Sequence, residues 1–389
     1  MVTGAYYPEV TGGALQCRTL IQALGGRVGV SMVSVSSNPA LPAHEMLDGV
    51  WVSRICVDPD RLWSRITAGV RLGWSFFRSC RHADVVHFHG FTQKSVLLVA
   101  IAKLLGKPIM MKAGGVGQDD PATIRKRGAL LWRFYSTMDR FVATSPALES
   151  AMHDAQLPDE RIERIPNGVD LRRFRPAEPG ERDALRQEFG LPAELTLILF
   201  VGMLAPVKRP ELLLEAWMRI GPAASRSALL YVGTTSNFRE IDAAIGHRIR
   251  ARADAAGVGD RVRFLDTTLA IERLYRAADI FVLPSATEGH PNALLEAMAS
   301  GLACVASRLP GITDSIVEDG SNGVLVASGE AAPMADAIRT LIEQPDRRVE
   351  IGRHARETIE SRYGIEGTAA AYLNLYERLT PYPDRNRPR

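Results

Sequence analysis

Long apolar runs are missing from this chain of 389 residues: nowhere do eighteen or more hydrophobic residues follow one another, so no membrane-spanning helix is expected. Cysteine is scarce. The four present, Cys17, Cys56, Cys80 and Cys304, show no paired spacing, which excludes a disulfide framework or a cysteine zinc site and points to reduced thiols in a cytoplasmic compartment. No basic stretch followed by an apolar one opens the chain, so a secretory leader is not expected either. Internal repeats and low-complexity tracts are absent. A nicotinamide-type dinucleotide site is excluded as well, because Asp120 stands where the last glycine of a G-x-G-x-x-G frame would fall in the loop after Lys107.

What remains is an ordinary globular composition, with 46% hydrophobic and 23% charged residues. The length exceeds what one compact core organises, so two domains are expected, residues 1–175 and 190–363, joined by a Pro-, Gly- and charge-rich linker over 175–195. The net charge of +3 is unevenly spread. Residues 1–175 hold 22 Lys+Arg against 15 Asp+Glu, leaving 25 against 29 for the rest of the chain. A basic first half favours an anionic surface or acceptor, while nucleic acid is not an expected partner.

The most informative stretch is Asp279 to Gly301, DIFVLPSATEGHPNALLEAMASG. Ile280 to Leu283 reads as a short buried strand, Ser285 to His290 as a loop, and Pro291 as the first position of a helix closed by Gly301. At helical spacing Asn292, Glu296 and Ser300 share one stripe, and Leu294, Leu295, Met298 and Ala299 form the apolar side. The N–H groups of Gly289, Asn292 and Ala293, at the positive end of the helix, suit an anion. Glu288 and Glu296 suit sugar hydroxyls. Alone, two carboxylates eight residues apart are more often a solvated pair than a site.

In full, EGHPNALLEAMASG closely resembles the donor-binding signature of retaining glycosyltransferases of family 4, and the likeness extends over nearly the entire chain. It implies the GT-B fold: two Rossmann-like doubly wound parallel sheets facing across a cleft, with a last helix, about 364–380, returning to the first domain. The implied activity is metal-independent transfer of a sugar from a nucleotide-diphospho-sugar, with no cofactor, to a glycan or glycolipid acceptor such as a lipid-linked or polysaccharide precursor. Donor binding falls on Gly12, Gly13, Gly202, Lys208 and Arg209, and on Glu288, Gly289, His290, Pro291, Asn292, Ala293, Leu295 and Glu296. Catalytic roles fall on Glu288, Lys208 and His89, the last in a D-x-x-H-x-H pattern at Asp84 to His89.

Two positions depart from the family pattern. Met203 stands where an arginine is usual, and Ala113 or Gly114 where a histidine is, with Lys112 as a possible substitute. These departures keep open a non-catalytic nucleotide-sugar sensor or assembly partner of the same fold. His87 and His89, two apart on a strand, point to one face, but no set of metal-ligand partners accompanies them. The first strand lacks several apolar residues before Val2, as a late start or an unusually short strand would give. Residues Asp60 to Arg81 place Trp63, Ile66, Val70, Trp74 and Phe77 at helical spacing among arginines. Such a helix either turns that stripe to the domain core or lies on an anionic membrane surface, which would make the protein peripheral to the inner membrane face. The cluster Arg125-Lys126-Arg127, followed by Leu130, Leu131, Trp132 and Phe134, adds to the second possibility.

Overall fold

The computed structural model describes residues 1–9, 11–233 and 243–380. It consists of two units, Met1–Gly168 with Ile365–Arg389, and Val169–Gly364. In the first, strands β1 (Val2–Thr3), β2 (Ser31–Ser36), β3 (His44–Leu47), β4 (Val50–Cys56), β5 (Val86–His89), β6 (Ile109–Lys112), β7 (Arg140–Ala143) and β8 (Ile162–Arg164) form one sheet in the order β3-β4-β2-β1-β5-β6-β7-β8. All neighbours are parallel except β3 and β4. The central strands are largely buried; β6 reads as a short apolar run, while β2 and β5 interleave buried serine and histidine with their apolar residues. The short β1 pairs in the middle of the sheet, Thr3 opposite His89.

Strand β3 escapes a search for apolar runs, yet a signal for it exists. Asp48 and Gly49 both take positive φ, 49° and 77°, as a two-residue hairpin turn requires, and Leu47 pairs with Val50 across it. The helix Ile365–Leu379 packs on this unit against Gly12–Leu24, with Leu20, Leu24, Met110, Val142, Tyr372 and Leu375 in one apolar cluster.

The second unit holds β9 (Thr196–Val201), β10 (Ser227–Val232), β11 (Val262–Leu265), β12 (Ile280–Leu283), β13 (Ala303–Ser307) and β14 (Val324–Val326), all parallel, in the order β11-β10-β9-β12-β13-β14. From β9 the chain winds outward to β11, then returns to lay β12 on the other side of β9. The strand order therefore reverses between β9 and β12. In the first sheet it reverses between β1 and β5.

Three expectations are corrected. Residues 175–195 are no linker: Glu181–Glu188 is a helix of the second unit, held by buried Arg186, which donates to Asp279 Oδ2 at 2.5 Å and to the carbonyls of Ala277, Ala193 and Leu195. No full helix follows Pro310. A single 3-10 turn, Thr313–Ser315, forms there, because Thr313 Oγ1 folds back to donate to the Ser307 carbonyl and the Gly311 N–H is taken by Asp314 Oδ1. The helix Leu62–Cys80 does not turn its tryptophan stripe inward. Ala68, Leu72, Phe76 and Cys80 face the core, and Trp63, Ile66, Val70 and Trp74 are exposed.

Candidate active site

Open parallel sheets bind ligands outside the carboxyl ends of the strands where the order reverses. In the second unit that place lies between the loops after β9 and β12. The first loop tightens into a 3-10 turn, Pro206–Lys208, and the Ala286 N–H donates to the Val207 carbonyl at 2.8 Å, tying the two loops together. Lys208 Nζ reaches both carboxylate oxygens of Glu288, at 2.7 and 2.8 Å. Ser285 Oγ donates to Glu288 Oε1 at 2.7 Å. Glu288 is buried, and an unpaired charge there would be costly, so Lys208 and Ser285 fix its orientation.

The helix Asn292–Ala299 leaves from the same loop, with Pro291 at its cap position and not its first turn, and Gly301 closing it at φ 74°. Glu296 lies one turn in. Tyr275 Oη donates to Glu296 Oε2 at 3.0 Å and lies 3.3 Å from the Ala293 carbonyl. Desolvation pushes the Glu296 carboxyl up to about 7, with the Tyr275 hydrogen bond and the charge of Arg173 opposing the rise. Asn292 and Ala293 are partly exposed at the helix start, whereas Leu295 is fully buried in the core and its N–H donates to the Pro291 carbonyl. His290 is buried, its ring 5.6 Å from that of Tyr363.

Arg209 adopts φ 48°, and its guanidinium donates to Ser328 Oγ at 3.1 Å. Met203 is partly exposed after Gly202. Gly202 and Gly233 end β9 and β10 backbone to backbone: a Cβ on Gly233 would stand 1.8 Å from the Gly202 carbonyl oxygen. A hollow at the ends of β10 and β11 is lined by Leu204, Gly233, His247, Arg250, Phe264 and Asp266, the Arg250 guanidinium lying 4.2 Å over the Phe264 ring.

Gly12, Gly13 and His89 lie in the first unit, around that sheet's own reversal point. Gly12 and Gly13 are the opening residues of a helix capped by Thr11, whose side chain accepts from the Ala14 N–H. His89 closes β5 with Nε2 3.4 Å from Cys17 Sγ and its ring stacked 4.1 Å from that of His87. Burial, aided by His87 and Lys112, holds the His89 imidazole well below its usual range, so it is neutral at pH 7. Lys112, opposite His89 in register, is lowered to about 8 by burial, and the same cause lifts the Cys17 thiol to about 12. Among the described residues no cluster of three or more His, Cys, Asp or Glu is placed to hold a metal.

Sequence reasoning missed Asp119, Tyr275 and Ser285. Asp119 is buried and accepts from the N–H groups of Gly114, Gly115 and Phe91, at 2.8, 3.2 and 3.1 Å, which shapes the glycine loop after β6. Two consecutive acids one residue after Gly-Gly-x-Gly were its visible trace. Tyr275 left none, because its contact with Glu296 depends on packing between two helices.

Family models match both halves: Glycosyltransferase Family 4 over residues 10–173 and Glycosyl transferases group 1 over 181–358. A D-inositol 3-phosphate glycosyltransferase 2 of Catenulispora acidiphila is 30% identical over 364 residues, 87% of this chain and 82% of that protein. A D-inositol 3-phosphate glycosyltransferase of Saccharomonospora viridis is 28% identical, covering 90% and 85%. Among solved structures, Anabaena Alr3699/HepE in complex with UDP and glucose matches at TM-score 0.79 and 20% identity, over 97% of this chain and 99% of that one. Sucrose-phosphate synthase from Thermosynechococcus elongatus matches at 0.81 and 22%, over 97% and 98%. With both halves matched and one relative alike over most of its length, the chain belongs to the group 1 glycosyltransferases of family 4 and has their GT-B fold.

Proposed function

We propose that this glycosyltransferase moves a sugar, with retention of configuration, from a nucleotide-diphospho-sugar to a hydroxyl of a lipid-linked or polysaccharide precursor. The observation that carries the proposal is the Lys208–Glu288 pair where the strand order of the second sheet reverses, with Glu296 on the helix that follows. UDP and UDP-glucose complexes of a protein with the same fold support a nucleotide-linked donor.

The bond from the anomeric carbon to the diphosphate breaks, and its electron pair leaves with the nucleotide diphosphate. Lys208 and the start of the helix Asn292–Ala299 stabilise the growing negative charge, an electrostatic contribution of the oxyanion-hole kind. Glu288 lies beside the transferred sugar and orients its hydroxyls. Glu296 accepts from the ribose hydroxyls, and the hollow beside Phe264 takes the base. The acceptor oxygen attacks the face the leaving group vacates, and its proton passes to the departing phosphate. Glu288 is bound by Lys208 and Ser285, which suits orientation better than nucleophilic attack. Neutral His89, with Lys112 opposite, serves the acceptor. With a lipid-linked acceptor the protein works at a membrane surface.

A second acceptor, an inositol phosphate, is favoured by the names of the relatives, and Lys112 would offer its phosphate a cation. The test is a thermal-shift screen of nucleotide sugars, then transfer with the best binder to lipid-linked, polysaccharide and inositol phosphate acceptors, the product's anomeric configuration being read by NMR. A product of inverted configuration, or a screen in which no nucleotide sugar stabilises the protein, would overturn the proposal.

A further inference from the structure

The helix Leu62–Cys80 is apolar on two opposite sides, where packing on a sheet needs only one. Ala68, Leu72, Phe76 and Cys80 supply the inner side. On the outer side Leu62, Ile66 and three more residues form a continuous stripe: Trp63 is 78% exposed, Val70 70% and Trp74 62%. The neighbouring helix, Gln93–Leu104, continues it through Leu97, whose Cδ2 lies 3.2 Å from where a Cβ on Gly73 would stand. Single exposed hydrophobic residues are commonplace, but a stripe with two tryptophans marks a contact surface.

Basic residues outnumber acidic ones around the stripe, although Asp58 and Asp60 flank the start of the helix and Asp58 pairs with Arg61 at 3.3 Å. From Arg61 to Gln118 there are nine Lys and Arg and a single acid, Asp84. By helical spacing Arg71 and Arg78 run along one edge of the tryptophan stripe, and both are exposed. Lys94, at the start of the neighbouring helix, is held below its usual range by partial desolvation and by the charge of Arg65. Exposed arginines along the edge of a stripe with two indole rings suit an interfacial layer of anionic headgroups over acyl chains. Among the described residues no helix is long and apolar enough to cross a membrane, and this one has its inner side fixed to the sheet.

We infer that the outer face of the helix Leu62–Cys80 docks the protein on an anionic lipid bilayer, with Trp63 and Trp74 in the interfacial layer and Arg71 and Arg78 on the lipid phosphates. The inference goes beyond the transfer reaction and involves none of the donor-site residues. Flotation of the full chain with vesicles of phosphatidylcholine, alone or mixed equally with phosphatidylglycerol, tests it. The wild type is expected to float with the mixed vesicles only, and less at high salt. The double variant Trp63→Ala/Trp74→Ala loses about tenfold in vesicle affinity, and Arg71→Glu/Arg78→Glu at least about fivefold per arginine. Melting temperature and nucleotide-diphosphate binding stay as in the wild type, since all four side chains are at the surface. Absence of binding to the mixed vesicles, or undiminished binding by the tryptophan variant, overturns the inference. So does a wild-type dimer that the tryptophan variant turns into a monomer, which would give the face to a second copy of the chain. Vesicle binding without sugar transfer would leave this inference standing and refute the proposed reaction.

Discussion

Replacing Glu296 by glutamine separates what that carboxylate costs the fold from what it does for the ligand. Desolvation pushes its carboxyl up to about 7 from an ordinary 4.5. For an acid raised in the folded state, folding carries no ionisation penalty while the group is protonated in both states, below about pH 4.5. The penalty grows as pH rises towards the folded value and is complete above it. At 1.36 kcal/mol per unit, the shift corresponds to about 3 kcal/mol, of which roughly 2 accumulate between pH 5 and pH 8. Glutamine keeps an oxygen for the Tyr275 hydroxyl and has no charge to desolvate. In urea melts, Glu296→Gln should therefore gain on the wild type by roughly 2 kcal/mol from pH 5 to pH 8. Calorimetric titration with a nucleoside diphosphate should meanwhile show the variant binding more weakly, because a neutral amide accepts less strongly from ribose hydroxyls. A stability difference that is the same at both pH values would refute the desolvation argument. A gain in stability with unaltered nucleotide affinity would remove Glu296 from the site.

Lys208→Ala should lower the transfer rate about a hundredfold, or roughly 3 kcal/mol, and also destabilise the protein by about 3 kcal/mol because Glu288 stays buried without its cation; a rate within a few fold of wild type, measured below the melting transition, would exclude Lys208 from catalysis. Asp119→Ala leaves the N–H groups of Gly114, Gly115 and Phe91 without their acceptor, an expected loss of about 3 kcal/mol, read as a fall in melting temperature that Asp119→Asn only partly repeats. Gly233→Ala places a methyl group 1.8 Å from the Gly202 carbonyl oxygen, so β9 and β10 must part at the donor site; a variant that melts with the wild type and binds nucleotide equally would show that the backbone yields there at no cost.

Local patterns were readable and non-local ones were not. The strands of the second sheet announced themselves as short apolar runs because helices cover both faces, and the loop-helix unit from Ile280 to Gly301 declared its strand, turn and closing glycine in consecutive residues. The helix Leu62–Cys80 shows where periodicity stops helping. It carries two apolar stripes, and a count of spacing cannot tell which one the sheet takes; the smaller one, with Ala68 and Cys80, fits against the strands, and the tryptophans stay outside. The segment 175–195 looked like a linker because its composition is polar, yet it is fixed by Arg186 through Asp279, 93 positions away. Composition holds no trace of such a bond.

The same distinction runs through the candidate site. Glu288 and Glu296 belong to one local unit and were visible together, whereas Lys208 lies 80 positions before Glu288 and reaches it only because β9 and β12 are neighbours in the sheet. That neighbourhood is a consequence of the winding, since β10 and β11 are added on one side of β9 before the chain returns to place β12 on the other. At such a reversal the loops after two adjacent parallel strands lead to opposite sides of the sheet, and here they bring together the Lys208 cation, the buried Glu288 carboxylate and the start of a helix. Reversal of the strand order supplies the space, and the loop sequences supply the charge. A change that leaves Lys208 and Glu288 in place but prevents β9 from pairing with β12 should therefore abolish donor binding as thoroughly as removing either side chain.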